Sequence, residues 1–110
     1  MFKIIILVAG LVLPNIAVAN TCADDDQAIG KEISKIFYMM RNLYLENKLS
    51  YLVMDQIMTE MHLKYNEEYR LAFQIAVRHA PNECITIRNM GIDWAKSYEE
   101  IILNEINSRN

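Results

Sequence analysis

Apolar residues recur every three or four positions from residue 20 to the end of the chain, and that part holds one proline, Pro81, and two glycines, Gly30 and Gly91. This spacing places apolar side chains along one face of an α-helix, whereas a half-buried strand would alternate apolar and polar residues. Few residues in this part interrupt a helix. The pattern therefore predicts an all-α chain.

Residues 1–19 have the layout of a signal peptide. Lys3 is followed by an apolar run, Ile4–Leu13, and then by the small-residue sequence Ala17–Ala19, which predicts cleavage after Ala19. The apolar run is shorter than the about twenty residues that a membrane-spanning helix needs. We expect a signal peptide at 1–19, with an uncleaved signal anchor as the alternative, and a periplasmic helical domain at 20–110.

The charge and the cysteines of residues 20–110 indicate the compartment and the partners of this part of the chain. Without Lys3 the eleven basic residues become ten, against fourteen acidic residues, so the formal charge is −4. This balance disfavours nucleic acid as a partner. Two cysteines, Cys22 and Cys84, predict one disulfide in an oxidising compartment such as a bacterial periplasm; two free thiols are the alternative.

Three helices are expected from the points at which the apolar stripes start and stop. Asp24 to Asp26 would supply the N-cap and first-turn acids of a first helix, which ends near Lys48. Ser50 would cap the next stripe, which continues to His79 without a change of phase. A last helix is expected from about residue 82 to residue 107.

The second stripe can be one helix over residues 50–80 or two helices split near Asn66. In an up-and-down bundle the third helix starts at the same end as the first, so pairing Cys22 with Cys84 favours one long helix that ends at Pro81. The fold prediction is an elongated three-helix up-and-down bundle after a cleaved signal peptide, with one disulfide at one end.

Two sets of apolar residues lie outside the core stripes but keep helical spacing. Such rows mark contacts with a protein partner or a membrane, although scattered exposed apolar residues are also normal. We expect the first set on the far side of the first helix and the second on the far side of the last helix. The candidate partner-binding residues are Tyr38, Leu45, Leu49, Ile85, Ile92 and Leu103.

The sequence predicts no catalytic residues, no metal site and no cofactor, and hence no enzyme. His62 and His79 would lie about 25 Å apart on one continuous helix, so they cannot share a metal ion. No serine stands in a Gly-rich elbow near a base. The methionines fit core filling better than an adaptable binding groove; those after the signal peptide are Met39, Met40, Met54, Met58, Met61 and Met90.

The C-terminal segment resembles the end of the RI antiholin family of T-even bacteriophages. That family shows E-C-I and then G-x-x-x-A-x-S-Y in its last periplasmic helix, and this chain has Glu83–Ile85 and then Gly91–Tyr98. Leu45–Lys48 is similar to a stretch at the end of the family's first helix. The resemblance implies an exported helical domain that binds the periplasmic domain of a phage holin and delays host lysis without catalysis.

Two other functions fit the same sequence. Residues 21–24, Thr-Cys-Ala-Asp, resemble the opening of periplasmic acid-stress chaperones, in which acid neutralises carboxylates and exposes apolar surface to client proteins. An immunity or inhibitor protein for a toxin or a cell-wall hydrolase is the other alternative. In each case the partner is another protein, a homodimer is left open, and membrane contact is expected only through the N-terminal segment.

Overall fold

The structure, a computed structural model, describes the backbone of residues 13–108 and the side chains of residues 22–108. The predicted signal peptide at 1–19 lies outside the residues described with side chains, and its cleavage stays a prediction. The segments are α1 (Leu13–Leu45), α2 (Tyr51–Lys64), a π turn (Tyr65–Tyr69), α3 (Arg70–His79), a 3-10 turn (Pro81–Glu83) and α4 (Cys84–Ser108). We call the continuous run of α2, the π turn and α3 the middle helix.

The described part forms the predicted three-helix bundle and contains no strand. Cys22 of α1 and Cys84 of α4 are joined by a disulfide, with an S–S distance of 1.98 Å and a Cα–Cα distance of 5.5 Å. This confirms the predicted pairing and places the starts of both helices' packed regions at one end. The middle helix runs against α1 and α4.

The start of α1 differs from the prediction. The helix already begins at Leu13, so Asp24 to Asp26 lie about three turns inside it at 3.6 residues per turn. The residues just before them include three alanines between positions 17 and 23, which favour helix. The expected N-cap role of the three aspartates is therefore wrong, and two of them bridge to neighbouring helices instead.

α1 ends in a Schellman turn. Asn47 adopts a left-handed conformation with φ of 62°. The Lys48 N–H donates to the Leu43 carbonyl at 2.8 Å and the Asn47 N–H donates to the Tyr44 carbonyl at 3.0 Å, which satisfies carbonyls at the helix end. The reversal turns Leu49 into the core, where it is 2% exposed. The expectation that Leu49 lies on an exposed face of α1 is wrong for this reason.

The middle helix is one helix, as the disulfide argument favoured. The Val53 N–H donates to the Ser50 side-chain oxygen at 3.2 Å, which confirms Ser50 as the N-cap. The helix ends at His79, and Pro81 opens the following 3-10 turn.

The π turn keeps the core face of the middle helix in phase. Met61 and Phe73 are both buried, yet they lie 12 positions apart. Twelve residues of α-helix turn about 120° beyond three full turns, which would aim the two side chains in different directions. A π turn absorbs one extra residue, so the remaining rotation is only about 20°. The π turn therefore allows one helix to present both residues to α1 and α4.

α1 and α4 pack in parallel along residues spaced alternately three and four apart, as in a coiled coil. An added Cβ at Gly91 would lie 2.8 Å from Cγ1 of Ile29, closer than ordinary packing allows. The bare backbone of Gly91 therefore lets the two helices approach closely, with Ile29 seated on it. Buried residues of this interface are Cys22, Ile29, Ile33, Ile36 and Met40 from α1 and Cys84, Gly91, Ala95, Tyr98 and Ile102 from α4.

Methionines fill the core, as expected. Met40 and Met61 are fully buried. Met39, Met54 and Met58 are partly buried against the same cluster. Only Met90 among the methionines with described side chains is well exposed.

Candidate partner-binding surface

The predicted residues of α1 lie on its solvent side, apart from Leu49. Tyr38 and Leu45 are each 63% exposed, two turns apart on the same helix. Large apolar side chains at that exposure are available to a partner, because the core of the bundle is filled without them.

The predicted residues of α4 do not form one patch. Ile85 and Leu103 are about half exposed, but Ile85 follows the disulfide-bonded Cys84 whereas Leu103 lies near the other end of the helix. Ile92 lies between them and is partly buried against the core.

An open groove of about 850 Å³ runs along α1 and includes Tyr38. Tyr65, from the π turn, forms one side of it, and the Tyr65 hydroxyl would lie 3.7 Å from a Cβ at Gly30. Gly30 and Ser34 are small residues one helical turn apart, so the surface of α1 is low between larger side chains. The residues lining the groove are Gln27, Gly30, Lys31, Ser34, Lys35, Tyr38 and Tyr65.

Sequence reasoning found one groove residue, Tyr38, and missed the others. The spacing of Gly30 and Ser34 next to Tyr38 on one helix face is a signal that could have marked the α1 side. The contribution of Tyr65 has no such signal, because it depends on where the middle helix packs.

A second apolar surface lies at the end of the bundle away from the disulfide. Tyr44 and Leu45 end α1, while Tyr51 and Leu52 begin α2, and all four are exposed. The rings of Tyr44 and Tyr51 meet edge to face with centroids 5.9 Å apart. The short turn between the helices thus brings aromatic and aliphatic side chains together at this tip.

Two aspartates of α1 tie the helices together near the disulfide. Asp25 is buried and accepts a hydrogen bond from Nη1 of Arg88 on α4 at 3.3 Å. Asp26 accepts a hydrogen bond from the Tyr65 hydroxyl at 2.6 Å, and its other oxygen lies 3.9 Å from Nε of Arg70. Burial, and then the hydrogen bond to Asp26, raise the pKa of Tyr65 to about 12.

An aromatic cluster joins the middle helix to α4 on the other side of the bundle. The rings of Tyr69 and Trp94 are 5.1 Å apart, and those of Trp94 and Tyr98 are 5.8 Å apart. The Tyr98 hydroxyl donates to the Glu60 carboxylate. Burial, and then this hydrogen bond, raise the pKa of Tyr98 to about 12, and burial also raises the pKa of Tyr69.

No metal-binding arrangement is present among the described residues, since no three His, Cys, Asp or Glu side chains converge there. His62 and His79 are both exposed. The Nε2 of His62 lies 3.1 Å from the side-chain nitrogen of Asn66. Within residues 13–108, no helix combines the length and the apolar character needed to span a bilayer.

Comparison with known proteins returned no match, whether to family models, to curated proteins or to solved structures.

Proposed function

We propose that this protein is exported to the periplasm and delays phage-induced lysis by binding the periplasmic domain of a holin, without catalysis. The observation that carries the proposal is the groove on α1 beside the exposed Tyr38, on a bundle whose core is already filled. An exposed apolar surface of this kind is suited to protein contact. The resemblance to the RI antiholins supplies the identity of the partner.

The residues that carry that resemblance divide into two groups. Gly91, Ala95 and Tyr98 are buried between α4 and its neighbours, so they would be shared because they set helix packing. Leu45 and Ile85 are exposed and are available to a partner. The resemblance over residues 83–98 therefore supports a fold shared with the RI antiholins more directly than it supports a shared binding surface.

A preformed binding surface suits a protein that inhibits its partner by contact. The hydrogen bond from the Tyr65 hydroxyl to Asp26, at 2.6 Å, holds the π turn against α1, so both sides of the groove are in place before any partner arrives. A preformed surface loses little conformational entropy on binding. One copy would then hold a holin domain apart from other holins.

The experiment is affinity capture of the tagged, exported protein from its native producer during phage infection, with captured proteins identified by mass spectrometry. We expect one stoichiometric membrane protein of holin type, and a delay in lysis when the protein is overproduced. Tyr38→Ala should weaken capture, whereas Met90→Ala, an exposed apolar change on α4 away from the groove, should not. Capture of a soluble toxin or wall hydrolase instead would identify an immunity or inhibitor protein and would contradict the holin proposal.

A second candidate is an acid-stress chaperone, and the aspartate ties favour it. Asp25–Arg88 and Asp26–Arg70 are ion pairs that join three helices, the kind of contact that an acid-stress mechanism would have to release, while the disulfide would hold the chain together. The measurement is aggregation of unrelated client proteins at strongly acid and at neutral pH with the protein added. Suppression in acid alone supports the chaperone; no suppression at either pH rejects it.

A further inference from the structure

From residue 27 to residue 45 of α1 the exposed charges are all positive, although Asp24, two turns before Lys31, is an exposed acid and the protein as a whole is acidic. Between residues 27 and 45 the charged residues are Lys31, Glu32, Lys35 and Arg41. Glu32 is buried and lies 3.6 Å from the ammonium of Lys35, whose side chain remains 73% exposed. Lys31 and Arg41 are exposed. A partner approaching this face therefore meets positive charge next to apolar surface.

The two lysines border the groove at a spacing that matches a helix. Lys31 and Lys35 are one turn apart, about 6 Å along the axis at 1.5 Å per residue. Carboxylates at positions i and i+4 of a partner helix have the same separation. From Gln27 to Tyr38 the groove covers about 16 Å, or three turns of helix.

The floor of the groove leaves room for a partner helix to approach the backbone of α1. At Gly30 nothing lies within 4 Å of an added Cβ except the Tyr65 hydroxyl, at 3.7 Å. The glycine thus leaves open space at the surface, unlike Gly91, whose space Ile29 fills. Exposed Tyr38 stands at one end of this low stretch and offers an aromatic anchor.

We propose that the α1 groove binds one acidic amphipathic helix of a protein partner. Apolar residues of that helix, three or four positions apart, lie over Gly30 and Ser34 and against Tyr38 and Tyr65. Two carboxylates one turn apart pair with Lys31 and Lys35. A helix in a groove is a common mode of peptide recognition. The inference rests on the proposed function in one respect: the bound helix is taken to belong to the partner that the exported protein inhibits.

The test uses the whole exported protein and a fluorescent, hydrocarbon-stapled helical peptide of four turns. The peptide carries leucines along one face and glutamates one turn apart beside them, and the staple keeps it helical because short helices are marginal in water. A control peptide has lysine in place of each glutamate. Fluorescence polarisation measures binding. We expect the acidic peptide to bind, the basic control not to bind, and the affinity to fall as salt is raised.

Two variants test the site itself. Lys31→Glu with Lys35→Glu should weaken binding about tenfold, since two exposed ion pairs become repulsive. The matched control, Lys48→Glu with Lys96→Glu, reverses two exposed lysines outside the groove and should leave affinity unchanged. Gly30→Leu should fill the groove and abolish binding, while thermal stability is retained or raised because leucine favours helix over glycine.

Each result decides for or against the groove. Equal binding of the acidic and basic peptides overturns the proposal, and so does full binding by Gly30→Leu. Binding to anionic phosphatidylglycerol vesicles that the lysine reversal abolishes, with no peptide bound, assigns the face to a lipid surface instead. Capture of a holin that survives both groove variants would leave the proposed function standing and reject this site. Peptide binding at the groove without capture of a holin would support this site and reject the proposed function.

Discussion

Ile29 and Gly91 are in contact across the α1–α4 interface and lie 62 residues apart, the same separation as Cys22 and Cys84. The disulfide and the glycine contact lie two turns apart along the helices. Both therefore specify the same alignment of the two parallel helices. A one-residue slip would both strain the disulfide and place a side chain where Gly91 now leaves room. The covalent bond and the packing thus reinforce each other.

Gly91→Ala should destabilise the protein by about 1 kcal/mol, because overpacking against Ile29 outweighs the gain in helix propensity. Gly30→Ala is the matched control: its Cβ meets only the Tyr65 hydroxyl, so it should stabilise by about 0.5–1 kcal/mol. Urea denaturation followed by circular dichroism measures both. The cost of Gly91→Ala should shrink in an Ile29→Ala background, and equal costs in both backgrounds would contradict the close contact.

Removing the disulfide with Cys22→Ser and Cys84→Ser should lower the free energy of unfolding by roughly 4 kcal/mol, the chain-entropy estimate for a loop of this length. Denaturant melts of the variant and the parent measure the loss. Intact mass after alkylation gives the pairing directly: two thiols should react after reduction in denaturant and none before it. Labelling without reduction would refute the bond.

Asp25 and Asp24 form a matched pair for testing the contact between α1 and α4. Asp25→Asn should cost about 1–2 kcal/mol, since it replaces an ion pair with Arg88 by a hydrogen bond from the charged guanidinium to a neutral amide oxygen. Asp24→Asn, at an exposed position, should change stability by less than about 0.5 kcal/mol. Chemical denaturation at neutral pH compares each variant with the parent protein. Equal small effects of both variants would mean that the Asp25–Arg88 pair adds nothing measurable to stability.

Stability should fall in alkali between about pH 10 and about pH 12. In the folded protein Tyr65 and Tyr98 have a pKa of about 12, against an ordinary value of 10.0. The folded state therefore holds its phenol protons where the unfolded chain releases them, so the free energy of unfolding is steady below pH 10 and declines above it. Tyr98→Phe should cost about 1 kcal/mol at neutral pH through the lost bond to Glu60, and should make the alkaline decline shallower. An alkaline decline that keeps the same slope in Tyr98→Phe as in the parent protein would contradict this assignment to the tyrosines.

The π turn predicts an asymmetric response to deletions in the middle helix. Removing exposed Glu67 leaves Met61 and Phe73 eleven positions apart, a spacing that an ordinary α-helix aligns to within about 20°. The bundle should then fold with a regular helix. Removing exposed Thr59 instead rotates residues 51–58 by about 100° relative to the rest of the middle helix, and this should prevent cooperative folding. Thermal melts by circular dichroism separate the two, and equal tolerance would show that the core does not depend on this phase.

The sequence predicted features that depend on local spacing. The three helices, the Ser50 cap and the break at Pro81 follow from patterns within single segments, and the disulfide follows from the cysteine count together with the expected oxidising compartment. Leu49 was misplaced because its direction depends on the left-handed turn at Asn47, and that conformation leaves little trace in apolar periodicity.

Features that depend on two segments escaped prediction. The partners Asp25 and Arg88 are 63 positions apart, and Asp26 and Tyr65 are 39 apart, so no local pattern links them. The aspartates looked like helix-capping residues because capping is what three acids before an apolar stripe most often do. The groove was missed in the same way, since its second side belongs to the middle helix.

The disulfide closes a covalent ring that contains the packed part of α1, the Schellman turn and the entire middle helix, and only α4 beyond Cys84 extends from it on the C-terminal side. A protease that cuts once in the exposed turn at residues 46–48 would open the ring without releasing a fragment. The two pieces would remain one molecule, with α1 still bonded beside α4. In an oxidising space that contains proteases, such a nicked protein would lose continuity of its backbone and keep its helices in place.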